Sequence, residues 1–224
     1  MKQIKFGIAG YGKMGRIREE SILNSSNAKL MSIYEVSDYS HNDKSTVQCN
    51  SFDELLKTDI DAVIVSAYVS VAADYAIRAL NSGKHVFCEK PPSMTFKEMQ
   101  EIIKAEKKAN KVLKYGFNHR FHHSVMEATK VIESGDLGKM LWMRGVYGKA
   151  GSIDFNDNWR NYKNYSGGGI LMDQGIHMLD LFRYFSDSEF RCLNAHLTTL
   201  FWNIEWEDNA FLTLKNKNNI VATL

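Results

Sequence analysis

Lys90, Asp173 and His177 are the side chains whose types and spacing could move a proton, and Gly10, Gly12 and Gly15 could hold the second reactant. The run Gly10-Tyr11-Gly12-Lys13-Met14-Gly15 follows a strand-like apolar stretch and opens a helical one. In such a turn Gly10 permits the sharp bend, Gly12 lets the backbone approach a pyrophosphate, and Gly15 allows close helix-on-strand packing. Lys13 and Met14 then belong to the first helical turn, whose amides and positive end hold phosphates. By itself the glycine spacing is a weak signal; the strand before it and the helix after it give it weight. Glu35 lies 20 residues past Gly15, at the end of the second strand-like run. A carboxylate there accepts hydrogen bonds from an adenosine ribose and disfavours a 2'-phosphate, so NAD is expected over NADP. Arg16 could serve that phosphate and keeps NADP open, and the bland alternative for Glu35 is a solvated strand-end charge.

Glu89-Lys90-Pro91-Pro92 ends another strand-like run, at the carboxyl edge where open α/β sheets bind their ligands. A strand-end lysine is usually only a solvated charge. With Glu89 and Lys90 both expected at the cofactor, Lys90 could also hydrogen-bond the alcohol being oxidised or the carbonyl being reduced. Asp173, His177 and Asp180 follow one another at i, i+4, i+7 among Met172, Ile176, Met178, Leu179, Leu181 and Phe182. That spacing is one stripe of a helix, and the plain explanation is the helix's wet side. Gly167-Gly168-Gly169 just before it argues for more, because an ordinary helix lead-in does not require such backbone freedom. Two carboxylates and one imidazole on one face rarely complete a coordination shell, so no metal is expected. His119, His122 and His123, with Arg120 among them, suit a surface or packing role, although Arg120 is a candidate substrate contact. Trp159-Arg160 could line a substrate pocket or be an ordinary stacked pair.

These residues need a scaffold, and the pattern supplies one. Strand-like runs at Ile4 to Ala9, Leu30 to Tyr34, Ala62 to Ser66, His85 to Cys88 and Val112 to Phe117 alternate with helical segments. That alternation predicts a doubly wound parallel sheet of the Rossmann type over residues 1–121. Ser51-Phe52-Asp53-Glu54 and Thr95-Phe96-Lys97-Glu98 match capping boxes and predict two helix starts, and Gly83 predicts a helix stop. Over 122–224 the rhythm changes to a helix ending near Gly135, a strand-like Met140 to Tyr147, a loop rich in Asn and Tyr, the glycine run with its helix, and three strands at Arg191 to Phe201, Ala210 to Lys215 and Ile220 to Leu224. The last residues fall inside a strand, so this second α/β (α+β) domain is expected to carry an open, unfinished sheet.

With 28 basic and 26 acidic residues dispersed along the chain, no field of one sign exists to attract nucleic acid or a membrane surface. No apolar run approaches the roughly 20 residues of a membrane span. Cys49, Cys88 and Cys192 are odd in number and without metal-ligand spacing, which fits free thiols in the cytoplasm.

The glycine turn, the stretch Ala79 to Pro91 ending in Glu89-Lys90-Pro91, Gly116-Phe117-Asn118-His119-Arg120-Phe121, Trp159-Arg160 and Gly167 to Asp180 together resemble the glucose-fructose oxidoreductase/inositol dehydrogenase (Gfo/Idh/MocA) family. The resemblance implies hydride transfer between a nicotinamide and a hydroxyl or keto carbon of a sugar, cyclitol or nucleotide-sugar. It places Lys90, Asp173 and His177 on the family's catalytic positions and implies a homo-oligomer through the second sheet. His177 is expected as the base, since imidazole titrates near neutral pH, with Asp173 orienting it and holding a substrate hydroxyl and Lys90 steadying the alkoxide. Ala67-Tyr68-Val69 and Ala72 depart from the family's usual Thr-Pro-Asn and histidine, and the chain is shorter than the family. Two alternatives follow: an NAD-using glycosidase or isomerase on the same scaffold, and a catalytically incompetent NAD-binding module that senses or interacts.

Overall fold

Short runs of Val, Ile and Ala between helices form the strands of the first half, because such side chains pack well on a pleated surface buried on both faces. A computed structural model describes residues 3–148 and 158–224 and divides the chain into two compact units, Met1–Gly116 and Phe117–Leu224. Residues 149–157, the first part of the loop rich in Asn and Tyr, lie outside the described residues.

The first unit runs β1 (Ile4–Ala9), α1 (Lys13–Leu23), β2 (Ala28–Tyr34), β3 (Val47–Cys49), α2 (Phe52–Lys57), β4 (Ala62–Val65), α3 (Val69–Asn81), β5 (His85–Cys88), α4 (Phe96–Ala109) and β6 (Leu113–Tyr115). The strands form one parallel sheet in the order β3-β2-β1-β4-β5-β6. Alternation along β1 and β4 sorts their side chains to the two faces. Ala9, Val63 and Val65 pack with Leu55 of α2, Ala76 and Leu80 of α3 and Ala105 of α4. Ile8 and Ile64 pack instead with Ile22 of α1, Leu30 and Ile33. Each fully buried Val or Ile contributes about 1.5–3 kcal/mol relative to exposure, so a one-residue slip in these strands would forfeit both layers.

Both predicted helix starts form. Thr95 and Glu98 make a reciprocal box at α4. At α2 the Ser51 hydroxyl caps the Glu54 amide, but the Glu54 carboxylate reaches the Asn50 amide rather than Ser51's own. The expected strand over Val112 to Phe117 shortens to β6, and the three-residue edge strand β3 was not expected, since Val47-Gln48-Cys49 is too short to show a period.

The second unit holds a 3₁₀ turn (Asn118–Phe121), α5 (His123–Ser134), β7 (Trp142–Arg144), a second 3₁₀ turn (Trp159–Asn161), α6 (Lys163–Ser166), a π-helical turn (Leu171–Gly175), α7 (Ile176–Ser186), β8 (Phe190–Thr198), β9 (Asn209–Asn216) and β10 (Val221–Thr223). Its sheet is mixed, in the order β7-β10-β9-β8, with β10 parallel to β7 and antiparallel to β9. Leu212, Leu214 and Ala222 turn one face onto Phe182, Met178 and Leu179 of α7. The other face carries Phe211 and, one strand beyond β10, Trp142, which are 59% and 64% exposed. The β9–β10 turn is closed by the Asn216 carboxamide oxygen, which accepts from the amides of Asn218 and Ile220 at 2.9 Å. Among the described residues no helix is long and apolar enough to cross a membrane.

Candidate active site

In the first unit the strand order reverses between β2 and β4 on either side of β1, and the glycine turn sits at the carboxyl end of β1. Gly10 has φ +90°, and a Cβ there would fall 2.5 Å from the Ala67 amide nitrogen beyond β4. A Cβ on Gly15 would fall 2.3 Å from the Gly10 carbonyl oxygen, which also accepts from the Ser66 hydroxyl at 2.6 Å. Around Gly12 nothing lies within 4 Å of the Cβ position, so its backbone faces open space. No side chain caps α1 and no acid stands in its first turn, where Lys13 is exposed and Met14 half-buried. The first amides of such a helix attract an anion. The three glycines therefore do three different jobs: a bend, an approach and a close packing.

Tyr11 anchors this turn. Its buried phenol donates to Glu19, and burial together with that carboxylate pushes the phenol up to about 12. Its backbone amide donates to the Glu35 carboxylate at 2.5 Å, and the other Glu35 oxygen accepts from the amides of Val36 and Ser37 at 2.8 and 3.1 Å. Glu35 thus ties the end of β2 to the glycine turn. Arg16 lies over the Tyr11 ring, 4.7 Å from its centroid. Gly10→Ala is expected to lower stability by about 3 kcal/mol or more, since a side chain at positive φ would also press on backbone that cannot yield. Thermal melts would show a drop of roughly 6–12 °C for a chain of this size, and an unchanged midpoint would contradict the geometry.

Glu89 and Lys90 follow β5. The Glu89 carboxylate accepts from Arg18 Nε at 2.7 Å and packs so closely on Gly116 that a Cβ there would fall 2.5 Å away. Glu89, expected at the cofactor, is engaged in an ion pair that fastens α1 to the end of β5. Lys90 is half-buried and precedes a cis peptide bond to Pro91.

In the second unit the glycine run leads into the helix that bears Asp173 and His177. Gly169 is needed for close approach, because a Cβ would fall 2.1 Å from the Glu207 carbonyl oxygen. That carbonyl accepts from the Ile170 amide at 3.0 Å, while the Glu207 carboxylate accepts from the amides of Gly169 and Leu171 at 3.2 and 3.1 Å. One acid thereby holds three successive residues at the helix entrance. The next turn is π-wound, with the Ile176 amide donating to the Leu171 carbonyl five residues back. Such turns are frequent at functional sites.

The stripe expected from regular helical spacing changes accordingly. Asp173 lies inside the π turn, so its relation to His177 is not that of an α-helical i, i+4 pair. Neither His177 nor Asp180 is on a wet side, each being 4% exposed. Asp180 accepts a fork from Arg120, at 2.7 Å from Nε and 2.5 Å from Nη2, and the same guanidinium lies 4.8 Å from the Tyr184 ring centroid. Arg120 therefore ties the 3₁₀ turn before α5 to α7. Asp173 accepts from Arg160 Nε at 3.3 Å and from the Gln174 carboxamide at 2.5 Å. Arg160 also covers the Trp159 ring at 4.4 Å, so the stacked pair and the contact with a candidate catalytic carboxylate coexist.

The His177 ring stacks on His119 with centroids 3.8 Å apart and planes 12° from parallel, and Tyr147 stacks on His119 at 5.6 Å. Of the histidine cluster, His119 is thus part of the site, whereas His122 and His123 are exposed. Glu207, Arg18 and the His119 stack were not evident in the chain's local pattern; the phrase Asn118-His119-Arg120 carried the only signal for the last. Among the described residues no group of three His, Cys, Asp or Glu could hold a metal ion.

Comparison with known proteins agrees with this architecture. Residues 4–117 match the model of an oxidoreductase family with an NAD-binding Rossmann fold, and residues 125–224 match a GFO/IDH/MocA C-terminal domain. The chain is 38% identical over 143 residues to a levoglucosan dehydrogenase of Pseudarthrobacter phenanthrenivorans, covering 63% of this chain and 36% of that one. It is 30% identical over 192 residues to a myo-inositol 2-dehydrogenase of Thermotoga maritima, covering 83% of this chain and 56% of that one. The crystal structure of a myo-inositol 2-dehydrogenase from Lactobacillus plantarum superposes with a TM-score of 0.90 at 26% identity, over all of this chain and 69% of that one. The chain thus spans about a third to two thirds of the length of these relatives.

Proposed function

Because the chain belongs to the Gfo/Idh/MocA oxidoreductase family, we propose that it interconverts a hydroxyl and a keto carbon on a sugar, cyclitol or nucleotide-sugar with NAD as the redox partner. The observation that carries this reading is the glycine cradle: a blocked Cβ at Gly10 and Gly15, open space at Gly12 and an uncapped α1 directly after it. Those features fit a pyrophosphate, which Gly10, Gly12, Lys13, Met14 and Gly15 would hold, with Glu35 at the adenosine ribose. NAD, when bound, supplies the hydride acceptor. In this proposal His177 takes the proton from the substrate hydroxyl, Asp173 holds a neighbouring hydroxyl, and Lys90 donates a hydrogen bond to the oxygen as negative charge develops on it. Trp159 and Arg160 line the sugar site beside Asp173. Arg120 contributes by fixing its 3₁₀ turn to α7 through Asp180.

NADH fluorescence titration followed by an oxidation panel of polyols, sugars and nucleotide-sugars tests the reading. Binding with turnover of one class supports it; binding without turnover on any member would favour a sensing module, and product without net NADH would favour an internal redox isomerase or glycosidase. Glu35→Ala is expected to weaken NAD binding about tenfold or more through loss of charged hydrogen bonds, while NADP binding falls less. Equal losses for both cofactors would remove Glu35 from the ribose.

We also propose that the uncovered face of the second sheet pairs with a second copy. Register places Trp142, Val221 and Lys215 in one cross-strand row, with Phe211 on the same face, and two large exposed aromatics on one sheet face suit an interface. Phe211→Asp should convert the assembly to monomers in light scattering; an unchanged mass would place the interface elsewhere.

A further inference from the structure

We propose that the proton acceptor is a stacked histidine pair, in which His119 governs the charge state of His177. The inference rests on the proposed role of His177, but the coupling can be measured without turnover. The two rings lie face to face at 3.8 Å, with Tyr147 stacked on His119 at 5.6 Å and Phe117 edge-on to His177 at 6.3 Å. Two positive charges at that separation repel strongly, so the pair resists taking a second proton.

Burial decides which ring takes the first. His177 is 4% exposed, whereas His119 is only partly buried and has the exposed His122 beyond it at 4.8 Å. Burial disfavours the charged form, so the proton goes to His119. His177 then stays neutral at a pH where an unperturbed imidazole, titrating near 6.5, would begin to charge. A neutral imidazole is what proton abstraction requires.

Two carboxylates of this unit near the stack are paired with arginines. Asp173 is held by Arg160 and Asp180 by Arg120. His123 faces solvent 3.9 Å from Glu127. His119 is the ring stacked directly on His177 that can itself take a proton near neutral pH.

The test is an NMR pH titration of the His177 ring in the cofactor-free protein, for the wild type, His119→Phe and His119→Ala. The first variant keeps a flat ring on His177 and removes its charge; the second removes both. The expected result is a two-step His177 profile in the wild type that collapses to one step in both variants, with the midpoint about 1 pH unit higher. An unchanged midpoint in all three proteins overturns the proposal. A shift in His119→Ala alone also overturns it, because the effect would then come from packing rather than charge. If the NMR shift appears while the acid limb of kcat/KM does not move with it, the stack stands and the role of His177 as base falls.

Discussion

Lys90→Met is expected to lower kcat by about 1000-fold while NADH binding stays within about threefold. Methionine keeps much of the length and apolar stem of lysine and removes only the ammonium, so the loss reports charge and hydrogen bonding rather than packing. The main chain around Lys90 is well held, since the preceding Glu89 is paired with Arg18 and pressed against Gly116. A change at residue 90 therefore leaves the end of β5 in place. Stopped-flow turnover with the best substrate of the panel, set beside NADH fluorescence, separates the two quantities. Wild-type kcat in the variant would take Lys90 out of the chemistry, and a parallel loss of NADH binding would make it a cofactor ligand instead.

His177→Asn is expected to reduce kcat/KM by about 100- to 10,000-fold, the range for loss of a general base. Asparagine retains a polar group of modest size in a position that is 4% exposed, which limits the cavity cost. The signature lies in the pH profile. Wild-type kcat/KM should rise with pH as the acceptor loses its proton, and the residual activity of the variant should instead follow hydroxide concentration. A variant that retains the wild-type acid limb would assign the base elsewhere, with Asp173 the next candidate because it lies in the π turn that leads into α7.

Local chemistry explains which parts were legible from residues alone. The bounds of β1 and β5 were readable because an apolar run of strand length ends abruptly, at Gly10 in one case and Glu89 in the other. The Thr95 box was readable because both partners lie within one turn. The glycine turn was readable because its spacing falls between a strand-like run and a helical one, although the backbone that crowds Gly10, at Ser66 and Ala67, lies far along the chain. What stayed hidden was the pairing of distant groups: Arg18 with Glu89 across 71 residues, Arg120 with Asp180 across 60, and Glu207 with Gly169 across 38. Composition cannot say which charges find each other. The π turn was hidden as well, since no residue type demands it and the Glu207 clamp at its entrance is a tertiary contact. The boundary expected after Phe121 reflected a change of rhythm, whereas contacts divide the chain after Gly116.

The residues joining β8 to β9 invite a different kind of use. Glu207 grips the entrance of the helix bearing Asp173, and the neighbouring Asp208 gathers the amides of Leu200, Phe201 and Trp202, which outweigh its burial and bring its carboxyl down to about 2. Anyone replacing that hairpin tip with a relative's would need to carry the Glu-Asp dipeptide across unchanged, while Leu200 and Phe201, both mostly exposed, are the positions open to variation.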